Sequence, residues 1–184
     1  MSNPQPPKPA KLVVGLFMND KSLLDPAARD LNDAFGPIDV VGPWFNFDFT
    51  DYYSSEMGAP LFRRVLAFKN HIQQHDLADI KLITNDFEQK YLKNGHRRIN
   101  IDPGYLVHER FVLATAKNYT HRISIGRGIY ADLTLVYTRG RFQTLPWTYP
   151  DYAEMNMLAF LERVRRKYLK DINPSMRPAE REKC

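Results

Sequence analysis

Three side chains that carry positive charge, or can acquire it, lie close together between two apolar segments. They are Lys117, His121 and Arg122, within the stretch Lys117-Asn118-Tyr119-Thr120-His121-Arg122. Lysine supplies a point charge, arginine a planar fork of donors, and histidine either a donor or a base. The set suits a phosphate or carboxylate, with Lys117 and Arg122 binding the anion and His121 transferring a proton. The alternative is a solvated turn, because such residues are common in exposed loops.

Two aspartates are candidates for the accompanying acid–base chemistry. Asp102 lies in Asn100-Ile101-Asp102-Pro103-Gly104-Tyr105, and Asp132 lies in a segment of alternating polar and apolar residues. Either could act as a general base or as a ligand of a magnesium ion, although the sequence identifies no cofactor. Asp-Pro-Gly is also favourable turn chemistry, and an outward-facing aspartate is common on a strand. Tyr105 and Tyr130 flank these acids and are predicted to contact the ligand.

Three other patterns resemble known sites, but their surroundings argue against each. The phosphate-loop signature is absent, and the glycines of Gly126-Arg127-Gly128 precede an alternating strand rather than a helix, which indicates a hairpin turn. His71 and His75 have metal-pair spacing on a predicted helix, but no catalytic glutamate adjoins them, and we predict no metal site. Asp151 is predicted to cap the last helix, with Glu154 completing a capping box.

These candidates need a fold that brings them together, and the hydrophobic pattern predicts its elements. In the first half, we predict strands and helices in turn. The strands cover 12–18, 39–47 and 80–84, and the helices cover 25–36, 60–75 and 87–92. The helix over 25–36 is expected to begin with Asp25 as its N-cap. The acidic stretch around Asp48, Asp51 and Glu56 fits a metal, a cationic substrate or an ordinary loop.

The second half predicts strands joined by short turns, which is typical of an antiparallel meander. These strands cover 98–101, 111–116, 121–125, 129–138 and 141–144, and a helix over 152–170 closes the chain. The order indicates a single α+β domain, with an N-terminal β-α-β element, a C-terminal meander and helices packed on the sheet. We predict a disordered proline-rich tail over 1–10, the domain over 11–172 and a flexible charged tail over 173–184.

Composition and charge exclude several classes of protein. The longest apolar run is far shorter than the ~20 residues of a membrane span, so we expect no membrane association. The N-terminus lacks an apolar signal segment, and the single cysteine, Cys184, allows no disulfide. We therefore expect a cytoplasmic protein. The net charge is +5, of which +2 comes from Lys8 and Lys11 and +1 from the last twelve residues. The remaining +2 fits a small anionic ligand better than nucleic acid.

An alternative from another class is a non-enzymatic interaction module. Four basic residues follow helical spacing on the last predicted helix, beside its apolar face: Arg163, Arg166, Lys167 and Lys170. Such a stripe could hold a nucleic acid or an acidic protein, although a solvated helix face has the same pattern. A structural subunit with an aromatic surface is a third alternative. The sequence does not predict the oligomeric state.

Five short motifs occur in an order that resembles a known prokaryotic family, that of the domain of unknown function DUF4416. The resemblance spans about residues 11–169 and implies no particular activity, cofactor or catalytic residue. The motifs are Tyr52-Tyr53-x-x-Glu56-Met57-Gly58, Asn100-Ile101-Asp102-Pro103-Gly104-Tyr105-Leu106, Leu113-Ala114-Thr115-x-Lys117, His121-Arg122-Ile123 and Trp147-Thr148-Tyr149-Pro150-Asp151-Tyr152. The leading hypothesis rests instead on Lys117, His121 and Arg122 near the two aspartates. It is a protein that binds an anionic small molecule, with phosphate-handling catalysis left open.

Overall fold

The computed structural model describes residues 2–47 and 54–173 as one α+β domain of nine strands and five helices. The strands are β1 Ala10–Met18, β2 Ile38–Val41, β3 Phe45–Phe47, β4 Leu61–Ile72, β5 Ile99–Leu106, β6 Arg110–Thr115, β7 Arg122–Ser124, β8 Tyr130–Thr138 and β9 Arg141–Thr144. The helices are α1 Leu24–Phe35, α2 Ser54–Met57, α3 Leu77–Lys90, α4 Pro150–Ala153 and α5 Met155–Ile172. Asp48 and Asp51 of the predicted acidic loop lie outside the described residues.

All strands join one antiparallel sheet, with the order β2-β4-β1-β5-β6-β8-β7; β3 pairs with β4, and β9 pairs with β8. Because β4 lies between β1 and β2, and β1 lies between β4 and β5, the first half contains two interleaved β-α-β units. This is the split β-α-β arrangement of ferredoxin-like folds. The predicted α+β class, N-terminal β-α-β element and C-terminal meander are confirmed.

The central strand β1 is buried along its whole length because helices cover both faces of the sheet. Its even-numbered residues, such as Leu12 and Leu16, pack in a core cluster with Leu31 of α1 and Ile80 of α3. Its residue Val13 belongs to a second cluster with the apolar face of α5. The predicted core residues of that last helix are all buried: Met157, Phe160, Leu161, Val164 and Tyr168.

The helix predicted over 60–75 is wrong, because this segment forms the long strand β4. Leu61 and Val65 have the i, i+4 spacing of a helix, but in the strand both lie on the face that packs toward α5. Leu66 and Phe68 lie among the residues packed under α1 and α3. A strand that is buried on both faces has apolar residues at nearly every position, so helical spacing arises in it by coincidence.

The strand predicted over 80–84 is also wrong, because these residues belong to α3. This helix extends into the helix predicted over 87–92 and ends at Lys90. The inward face of α3 follows helical spacing but includes three polar residues. Lys81, Thr84 and Glu88 are all buried. Polar residues on the inward face weaken the amphipathic pattern from which a helix is predicted.

Smaller differences concern the ends of elements. Helix α1 begins at Leu24, after a 3-10 turn that Asp20 caps, so Asp25 is not the N-cap. The strand predicted over 39–47 is divided into β2 and β3. The turn predicted at Gly126-Arg127-Gly128 is present, and its glycines have positive φ, as do Arg139 and Gly140 between β8 and β9. No helix among the described residues is long and apolar enough to span a bilayer.

Candidate functional site

A cavity of about 620 Å³ opens where neighbouring strands β5 and β6 diverge. Their pairing runs from Leu106–Phe111 to Gly104–Leu113 and ends there. The next residue of β5 toward the cavity is Pro103, which has no N–H to extend the ladder. The Asp-Pro-Gly segment is therefore not a turn, as one alternative held, but the middle of a strand that also pairs with β1.

Two side chains of α3 replace the missing strand neighbour of β5. Glu88 Oε1 accepts a hydrogen bond from the Ile101 N–H at 2.7 Å, and Lys81 Nζ donates to the Ile101 carbonyl oxygen at 2.8 Å. Both backbone groups of Ile101 are thus satisfied without a strand, as burial requires. These two contacts explain why the inward face of α3 is polar. Because α3 takes the place of a strand beside β5, the gap between β5 and β6 stays open.

The cavity is lined from both halves of the chain. Its wall includes seven ionisable residues with formal charge, together with aromatic and small apolar residues from β1, β6 and α4. The charged ones are Lys81, Glu88, Arg97, Asp102, Lys117, Asp132 and Asp151. Of the predicted site residues, Lys117, Asp102 and Asp132 therefore lie in the wall of one cavity, although 30 positions separate the first and last in sequence.

Asp102 lies in a network of alternating charges along β5 and α3. Its Oδ1 is 3.3 Å from Lys81 Nζ, and its Oδ2 accepts a hydrogen bond from Asn100 Nδ2 at 2.6 Å. Lys81 Nζ is also 3.8 Å from Glu88 Oε1, and Glu88 Oε2 accepts from Arg97 at 3.3 Å. Burial raises the pKa of Glu88, and the nearby Lys81 opposes that rise.

Asp132 connects the cavity to the predicted cluster of cations. Its Oδ2 accepts a hydrogen bond from Arg122 Nε at 2.9 Å and lies 3.2 Å from His121 Nε2. Arg122 donates further to the Lys117 carbonyl oxygen and to the Tyr149 hydroxyl. His121 and Arg122 are therefore behind the wall rather than in it, and the His121 ring stacks on Trp147 at 4.9 Å.

Asp151 is not the helix cap that the sequence predicts. It lies inside the short helix α4, for which Tyr149 is the N-cap residue, and the chain leaves helical geometry at Glu154. The Asp151 carboxylate forms a buried ion pair with Arg63 of β4. This pair fixes α4 to the sheet beside the cavity.

The Arg63 guanidinium is enclosed between two rings that line the cavity. It lies 4.8 Å from the ring centre of Phe17 and 4.1 Å from that of Tyr152. A side chain at Gly15 would begin 3.0 Å from the Tyr152 hydroxyl, so glycine makes room for this arrangement. Burial raises the pKa of Tyr152 to about 12, so the hydroxyl stays protonated at neutral pH.

Five ionisable residues in the wall or directly behind it were not predicted as site residues from the sequence: Arg63, Lys81, Glu88, Arg97 and Asp151. The available signal was a charged residue inside an otherwise apolar run, as in Leu61-Phe62-Arg63-Arg64-Val65. The predicted ligand contacts Tyr105 and Tyr130 lie outside the cavity wall. Tyr105 is in the core, and Tyr130 pairs with β6 and β7.

No group of three or more His, Cys, Asp or Glu side chains that could hold a metal ion occurs in the described ranges 2–47 and 54–173. The predicted helix carrying His71 and His75 does not exist. His71 lies in β4 with its ring against Tyr168, and His75 lies in a 3-10 turn. Helical i, i+4 spacing therefore does not apply to this pair.

The basic stripe of α5 is partly engaged within the protein. Arg163 donates to the Val41 carbonyl oxygen at 2.8 Å, and Lys167 lies 2.6 Å from Asp171 and 3.3 Å from Asp39. Arg166 and Lys170 are exposed. The interaction module stays a prediction.

Comparison with known proteins bears on the chain as a whole. The model of a family described as a domain of unknown function, DUF4416, matches residues 8–168. The chain belongs to the DUF4416 family. Every residue in the wall of the cavity lies within the matched part of this DUF4416 chain. Searches of curated proteins and of solved structures found no significant match.

Proposed function

We propose that this DUF4416 domain binds a small molecule carrying a phosphate or carboxylate group in the cavity between β5 and β6. The observation that carries the proposal is the meeting of Lys117, Asp102 and Asp132 around one cavity. Its volume of about 620 Å³ is in the ~300–1,000 Å³ range of ligand pockets. The surroundings also combine apolar side chains with a few polar groups, as such pockets do.

Lys117 is the residue that we assign to the anion. It lies two residues after the end of β6, and its side chain is exposed. Its backbone is held from both sides, because its N–H donates to Thr115 Oγ1 at 3.1 Å and its carbonyl oxygen accepts from Arg122 at 2.9 Å. A cation on a fixed backbone loses less freedom when it binds a ligand.

A phosphate-handling reaction is the finer form of the proposal. Asp102 then acts as the base, because it is the wall carboxylate with a more open side chain, 28% exposed against 2% for Asp132. His121, which lies behind Asp132, supplies or accepts a proton. Because the reaction requires that the ligand binds in the cavity, binding is tested first.

The test is a thermal-shift titration with inorganic phosphate and with acetate. A ligand present at 100 times its Kd stabilises the folded state by about 2.7 kcal/mol, which raises the melting temperature measurably. We expect the shift in the wild type and its loss in Lys117→Ala. Lys69→Ala is the matched control, because Lys69 is an exposed lysine at the other end of the sheet. The same shift in both variants, or no shift in the wild type, would contradict the proposal.

A further inference from the structure

The hydrogen-bonding capacity of the inner wall points to the chemistry of the ligand. Lys81 Nζ has two acceptors within hydrogen-bond distance, the Ile101 carbonyl oxygen at 2.8 Å and Asp102 Oδ1 at 3.3 Å. It also lies 3.8 Å from Glu88 Oε1, which is an ion-pair contact. A lysine ammonium has three N–H groups. Two of these are used within the protein, and Lys81 holds Asp102 by a hydrogen bond and Glu88 by an ion pair.

Two of the wall carboxylates, in contrast, retain lone pairs that can accept hydrogen bonds. A carboxylate has about four lone-pair sites. Asp102 uses one site for Lys81 and one for Asn100, and its side chain is 28% exposed. Asp151 pairs with Arg63 through Oδ2. Asp102 and Asp151 therefore retain acceptor capacity, which requires donors on the ligand.

Those donors are better neutral than cationic. Each wall carboxylate already has a cation within ion-pair distance, so a ligand ammonium would add an unbalanced charge in a partly buried site. A second anionic group on the ligand would instead be repelled by the four wall carboxylates. The pairs are Lys81 and Arg97 with Glu88, Lys81 with Asp102, Arg122 with Asp132, and Arg63 with Asp151. Hydroxyl groups donate hydrogen bonds without adding charge.

The rest of the wall suits the carbon skeleton of such a ligand. Phe17, Leu113 and Ala114 present apolar surface to the cavity, and the Tyr149 and Tyr152 rings lie on the α4 side. Ring faces and aliphatic carbons contact the C–H groups of a sugar ring or a polyol chain. The cavity is also much larger than an inorganic phosphate or an acetate requires.

We propose that the ligand is a polyhydroxylated acid of monosaccharide size, whose anionic group lies at Lys117 and whose hydroxyls donate to Asp102. This inference rests on the proposed function, because it assumes that the cavity binds an anion. A sugar phosphate and a sugar acid share the required chemistry. They differ in the anionic group, a phosphate or a carboxylate, so comparing their affinities separates the two candidates.

The experiment is isothermal titration calorimetry of the full chain with a graded set of compounds. The set is inorganic phosphate, glycerol 3-phosphate, ribose 5-phosphate, glucose 6-phosphate, gluconate and glucose. We expect affinity to rise at least tenfold from inorganic phosphate to a sugar phosphate or to gluconate, whichever source applies. Glucose should bind at least tenfold more weakly than the matching acid. Equal affinity for inorganic phosphate and for every sugar derivative would overturn the inference.

Two variants locate the hydroxyl contacts. Asp102→Asn should lower affinity for the best hydroxylated acid at least tenfold relative to the affinity for inorganic phosphate. Asn85→Ala removes a second polar wall group without changing charge, and should lower the same affinity severalfold. Circular dichroism and melting temperature establish that both variants fold. Unchanged affinity in folded Asp102→Asn would overturn the inference alone, whereas failure of every compound, phosphate included, would overturn the proposed function.

Discussion

At the scale of single residues, the site depends on ion pairs that join distant segments. Asp151 and Arg63 are 88 positions apart in sequence, and both are almost completely buried. A buried pair contributes little net stability, but loss of one member leaves the other charge in a poorly solvated place. The pair therefore acts as a strong constraint on the position of α4.

We predict that Asp151→Ala lowers the free energy of unfolding by about 3–5 kcal/mol, because Arg63 keeps its buried charge and loses this carboxylate. Urea denaturation of the wild type and the variant measures the change. Asp33→Ala, at an exposed position of α1, is the control and should change stability by less than about 0.5 kcal/mol. A loss below about 1 kcal/mol in Asp151→Ala would show that the pair does not hold α4 on the sheet.

At the scale of elements, the ends of β1, β2 and α5 meet in a second charged cluster, away from the cavity. Buried Lys11 lies 2.8 Å from Asp39 and 3.2 Å from Asp171, and Lys167 completes the cluster. His71 of β4 lies beside it. Burial lowers the pKa of His71, with Lys11 acting in the same direction and Asp171 opposing it.

This shift gives a pH dependence with a definite sign. Because the folded chain binds a proton at His71 less readily than the unfolded chain does, stability falls as the pH drops below the unfolded value near 6.5. We expect a smaller free energy of unfolding at pH 5.5 than at pH 7.5, and a smaller difference in His71→Asn. His75→Asn, at an exposed position, should keep the wild-type difference. If His71→Asn keeps the wild-type difference in the free energy of unfolding between the two pH values, His71 is not the group responsible for it.

Elements in the second half of the chain were predictable because they follow simple rules. Strands β8 and β9 alternate and are joined by a short turn at Arg139-Gly140, where both residues have positive φ. Strand β4 and helix α3 were not predictable, for two different reasons. The first is apolar on both faces, and the second turns Lys81 and Glu88 inward. The sequence lacks information on which polar residues will find buried partners.

At the scale of the whole molecule, the cavity lies at the junction between the split β-α-β half and the C-terminal meander. Strand β5 belongs to the first and β6 to the second, and their ladder stops at Gly104. A side chain there would lie 2.5 Å from the Val112 carbonyl oxygen, so glycine permits the last close pairing. Lys117, Asp102 and Asp132 were predictable individually from the sequence, but the strand divergence that brings them to one cavity was not.

In our proposal, this cavity, rather than the basic stripe of α5, binds the anion. Two-dimensional ¹H–¹⁵N NMR during a titration with inorganic phosphate tests it most directly, because every backbone amide reports its own surroundings. We expect the largest chemical-shift changes at the backbone amides of Lys117 and its neighbours in β6, and of Asp102 and Asp132. Shifts confined to Arg163, Arg166 and Lys170, or none at saturating phosphate, would contradict it.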